Sequence, residues 1–61
     1  MKVSELIKIL KKGGCHFVAH DTRYDEWYSP LTGKITLLPR HPSREMANGT
    51  VNRILKDMGL K

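Results

Sequence analysis

With 61 residues the chain forms one domain, 1–61, which is too small to enclose a cavity, so any chemistry occurs on a surface and no small-molecule substrate is expected. Eleven Lys and Arg against six Asp and Glu give a net charge of +5, which points to a polyanionic partner such as nucleic acid or an acidic protein surface. A single cysteine, Cys15, excludes an intrachain disulfide, and no apolar run approaches the roughly 20 residues of a membrane span, so no membrane association and a cytoplasmic setting are expected.

Val3, Leu6, Ile7 and Leu10 fall at i, i+3, i+4 and i+7, one face of a helix. Ser4 is placed to cap its start, Glu5 suits the first turn and Lys8, Lys11 and Lys12 suit the later ones. Gly13-Gly14 ends it, giving a predicted helix over about 4–12. The lysines interrupting this apolar face also make the opening unlike a signal peptide. His16 to His20 suits a strand, Asp21-Thr22-Arg23 a tight connection, and Tyr24 to Ser29 a second strand rich in aromatics. Ser29-Pro30-Leu31-Thr32-Gly33 is a turn, because proline presets one backbone angle and glycine allows positive φ. Lys34 to Leu38 reads as a third strand, stopped by Pro39. A polar, basic loop, Arg40-His41-Pro42-Ser43-Arg44, follows. Val51, Ile54, Leu55 and Met58 then mark a second amphipathic helix, with Thr50 as its expected cap and Gly59 as its end.

The fold class is therefore α+β, in the order α-β-β-β-α. Three consecutive strands with short links form an antiparallel sheet, and two amphipathic helices cover one of its faces. This is the order of the double-stranded-RNA-binding fold, whose members read RNA by shape and backbone contacts.

Four stretches resemble the HicA toxin family of type II toxin–antitoxin systems, along nearly the whole chain. They are the first helix with its glycine end (Ser4 to Gly14), the hairpin Tyr28-Ser29-Pro30-Leu31-Thr32-Gly33-Lys34, the Leu38-Pro39-Arg40-His41-Pro42 loop, and the last helix, Gly49 to Leu60. The resemblance implies a toxin that cleaves messenger RNA without metal or cofactor and is neutralised by a HicB-type antitoxin. It also implies a catalytic histidine at the start of the second strand. Alignment on Tyr28-Ser29-Pro30 puts Tyr24, followed by Asp25, at that position.

That departure matters chemically. Metal-free RNA cleavage removes the 2′-OH proton, so that the oxygen attacks the adjacent phosphorus, and protonates the leaving 5′-oxygen. Histidine serves both steps near neutral pH. An ordinary tyrosine is only about 0.1% phenolate at pH 7. Three readings of Tyr24 stand: a disabled or attenuated catalytic position, altered chemistry in which Tyr24, His20 or His41 stands in, and an ordinary strand aromatic. His16 and His20, four apart on a strand, should share a face about 13 Å apart, too far for one metal, and Cys15 points to the opposite face. Arg23, Arg40, His41, Arg44 and Arg53 are the candidate RNA contacts, with Arg23 beside Tyr24 placed to steady charge on the reacting phosphate. Trp27 and Tyr28 offer stacking surfaces for a base or, for Trp27, core packing. Two non-catalytic alternatives remain: an RNA-binding module, and a partner whose basic face docks an acidic antitoxin.

Overall fold

The computed structural model describes residues Met1–Lys61. The elements are α1 (Val3–Lys12), β1 (His16–His20), β2 (Tyr24–Tyr28), β3 (Ile35–Pro39) and α2 (Asn48–Asp57). The sheet order is β1-β2-β3, with both pairs antiparallel. Leu6 and Leu10 of α1, Trp27 and Leu38 of the sheet, and Val51, Ile54 and Met58 of the α2 segment join in one buried cluster with Cys15. Both helices therefore cover the same face of the sheet, as their apolar stripes require. Trp27 is only 5% exposed, so its role is core packing and it has no face free for a base.

Three local expectations shift. Ser4 does not cap α1: Lys2 holds the extended N-cap position, and the Val3 and Ser4 N–H groups donate to the carbonyls of Arg44 and Pro42, each at 3.0 Å. Backbone from a distant loop thus satisfies donors that a side chain would otherwise take. Glu5 keeps the expected place, its carboxylate accepting the Lys2 N–H at 3.2 Å. Pro39 lies within β3, opposite Tyr24, because an edge strand tolerates a residue without an N–H. α2 starts at Asn48 rather than after Thr50. The Met46 N–H donates to the Met1 carbonyl at 2.8 Å, which ties down the chain just before the helix and lets Ala47 serve as its extended N-cap.

The hairpin between β2 and β3 closes the far end. Ser29 is fully buried and donates from Oγ to the Met58 carbonyl at 2.6 Å. Thr32 Oγ1 donates to the Asp57 carbonyl at 2.8 Å. Two turn hydroxyls thus serve carbonyls that α2 leaves free at its C-terminus. Beyond it, the Leu60 N–H returns to the Leu55 carbonyl at 2.8 Å, and the Leu60 side chain lies directly over Gly13, where a Cβ would collide with it. No helix is long and apolar enough to cross a membrane.

Candidate nucleic-acid interface

The basic residues singled out from the sequence gather at the opposite end of the sheet. The loop of residues 40–46 leaves β3, crosses the start of α1 through the two backbone hydrogen bonds above, and enters α2. The Arg44 N–H also donates to the His41 carbonyl at 3.1 Å, folding the loop back on itself. The α-amino group of Met1 pairs with Glu45 at 2.8 Å. That hydrogen bond, the amino charge and, less strongly, Lys2 hold the Glu45 carboxyl below the usual carboxylate range.

This anchored loop faces the link between β1 and β2 across a shallow groove of about 620 Å³. Arg23, Tyr24, Arg40, His41 and Arg44 line it, with Thr22 and Pro39. Five of the six residues selected from the sequence thus converge, and no acidic side chain lines the groove. Arg53 does not reach it; this arginine lines an adjoining depression of about 400 Å³ that Tyr24, Leu37 and Pro39 share. Tyr24 also borders a third depression, with Glu45, Met46 and Thr50. Its side chain is therefore the junction of the basic surface, and it remains 42% exposed.

The histidines are placed differently from the expectation. β1 carries a bulge at Val18: His16 pairs with Tyr28 and Phe17 with Trp27, but Ala19 pairs with Glu26 and His20 with Asp25. Directly paired residues share a face and alternation runs unbroken along β2, so Asp25 and Trp27 lie on one face and Tyr28 on the other. The extra residue therefore puts His16 and His20 on opposite faces. His16 packs its ring 5.4 Å from that of Tyr28. His20 Nδ1 lies 2.6 Å from Asp25 Oδ1, and its ring meets the edge of Phe17 at 5.1 Å. Arg40 Nε lies 3.9 Å from the same Asp25 oxygen, and an Arg40 terminal nitrogen lies 3.5 Å from the Thr22 carbonyl. The sequence did not mark Thr22, Asp25 as a partner of His20, or the bulge. A bulge is decided by pairing between strands, and no residue in His16 to His20 announces it.

What the groove can do follows from its lining. Three guanidinium groups and an imidazole around one phenol, on an open surface, suit the phosphates of a strand that passes across them.

Comparison with known proteins adds three findings. The family model described as "HicA toxin of bacterial toxin-antitoxin" matches residues 3–60. A protein of Pseudomonas fluorescens (strain Pf0-1) named "Probable mRNA interferase HicA" is 36% identical over 61 residues, covering 100% of this chain and 98% of that protein. A chain in the crystal structure of the E. coli HicAB toxin–antitoxin complex superimposes with a TM-score of 0.80 at 28% identity, over 98% of this chain and 100% of that one.

Proposed function

The chain belongs to the HicA toxin family, and from that premise we propose that it is an RNA-directed toxin: a metal-independent endoribonuclease acting on messenger RNA in the cytoplasm, attenuated at Tyr24 and controlled by a HicB-type antitoxin. The observation that carries this reading is the gathering of Arg23, Arg40, His41 and Arg44 around Tyr24 in one groove without a carboxylate. Such a surface holds the phosphates on either side of a scissile bond and presents cations to the charge that builds on phosphorus. The superposition on a chain of the HicAB complex supports an antitoxin partner, and a protein covering so shallow a groove would exclude RNA by occlusion alone.

Attenuation rests on the identity of residue 24. A phenol is a poor acid–base group at neutral pH, and a well-placed acid–base residue typically contributes about 10² to 10⁴ in rate. The wild-type chain and Tyr24→His, incubated with single-stranded RNA in EDTA, test this. The histidine variant should cleave at least about 10²-fold faster than the wild type. Equal rates would show that position 24 is not an acid–base position. Salt-sensitive RNA binding with no cleavage by either protein would replace the enzyme with a binding module.

A further inference from the structure

We infer that His20, re-aimed by the β1 bulge onto Asp25, is the general base of the cleavage that the wild-type chain retains, with Arg40 joining it to the RNA groove; this rests on the ribonuclease reading above. Three independent features build the pair. First, the register slip at Val18 is what turns His20 to the face of Asp25; in an unbroken strand it would share the face of His16. Bulges are enriched next to active sites because they redirect a side chain in this way.

Second, the ring is held on two sides. An ionised carboxylate only accepts hydrogen bonds, so in the neutral ring the 2.6 Å contact to Asp25 Oδ1 selects the tautomer with the proton on Nδ1 and the lone pair on Nε2. Phe17 packs edge-on at 5.1 Å and fixes the ring plane. Asp25 is mostly buried, at 21% exposed, whereas His20 is 61% exposed. A part-buried carboxylate orienting an accessible imidazole resembles the arrangement that general-base catalysis uses elsewhere. Third, the pair is coupled to the groove. Arg40 lines the groove, yet its Nε lies 3.9 Å from the Asp25 oxygen that holds His20. His20 and Asp25 do not themselves line the groove, so Arg40 is the link between the carboxylate that holds the imidazole and the basic surface. Asp25 and, beyond it, Arg40 are the charged groups against the ring.

The step balances without a metal. Nε2 of His20 takes the 2′-OH proton, and the 2′ oxygen forms a bond to phosphorus. The bond from phosphorus to the 5′ oxygen breaks, that oxygen takes a proton from water, and the hydroxide so formed recovers the proton held on His20 Nε2. The products are a 2′,3′-cyclic phosphate and a 5′-hydroxyl.

The test measures cleavage of a single-stranded RNA by the wild type, His20→Gln, Tyr24→His and the double variant, each over a range of pH. His20→Gln should cost about 10² in the wild-type rate and flatten the rising limb of the pH–rate profile. RNA binding should be unchanged, which separates chemistry from folding. In the Tyr24→His background the same substitution should cost little, because residue 24 then supplies the base; a merely structural His20 would hurt both backgrounds alike. Cleavage by His20→Gln at the wild-type rate and profile would overturn the proposal and leave the ribonuclease reading intact. So would a wild type that does not cleave beside a Tyr24→His variant that does. If neither cleaves, both readings fall.

Discussion

At the scale of single residues, the two hydroxyls of the β2–β3 hairpin show how context sets the worth of one hydrogen bond. Ser29 and Thr32 both donate to carbonyls at the end of α2, at 2.6 and 2.8 Å. Ser29 and its partner residue Met58 are fully buried, whereas the Thr32 bond is exposed. Removing a buried donor strands its acceptor away from water, at about 1–3 kcal/mol, while water replaces an exposed one. Ser29→Ala should therefore lower Tm by at least about 4–8 °C in a domain this small, and Thr32→Val by much less. Equal shifts in a thermal melt would show that burial does not set the difference. Tyr24 illustrates the opposite case. Nothing in the packing demands a tyrosine at a position 42% exposed that borders all three depressions of this surface.

At the scale of elements, the two chain-terminal segments depend on one contact. Gly13 ends α1 with φ −80, a conformation any residue adopts, so backbone strain gives no reason for glycine there. The reason lies with Leu60, whose side chain occupies the place a Cβ would take. Gly13→Ala should destabilise by about 1–3 kcal/mol through overpacking. In the Leu60→Ala background it should be neutral or slightly stabilising, because alanine favours the helix end once the obstruction is gone. A double-mutant cycle by urea denaturation would show this coupling, and additive effects would rule it out. This contact also marks what the sequence could show. Both helices, all three strands and the covered face were legible, since periodicities of 3.6 and 2 report them directly. The caps at Ser4 and Thr50 misled, because backbone carbonyls of Pro42 and Arg44, and the tie between Met46 and Met1, do that work from far along the chain. The groove was legible in Arg23, Tyr24, Arg40, His41 and Arg44, which flank the ends of β2 and β3. The His20–Asp25 pair was not, since it depends on a bulge that only the partner strand defines.

At the scale of the whole molecule, the question is whether a charge of +5 acts as a diffuse cloud or as a directed surface. The lysines of α1 and the arginines of the groove belong to different parts of the protein: Lys8, Lys11 and Lys12 are exposed on the helix, and none of them lines the groove. A strand that crosses Arg23, Arg40 and Arg44 and continues over Tyr24 toward Arg53 releases counterions only where it is in contact. For single strands each phosphate so neutralised adds about 0.7 to the slope of log affinity against log salt. Arg23→Gln, Arg40→Gln, Arg44→Gln and Arg53→Gln should each reduce that slope by about 0.7 when RNA binding is titrated over a range of salt concentrations, with little change in sequence preference. Lys12→Gln removes the same unit of charge from the molecule and should leave the slope unchanged, because its position is outside the path. If Lys12→Gln reduced the slope as much as Arg44→Gln, RNA would be held by net charge rather than by the groove. An Arg53→Gln variant with an unchanged slope would instead end the path at Tyr24, confining the strand to the groove proper.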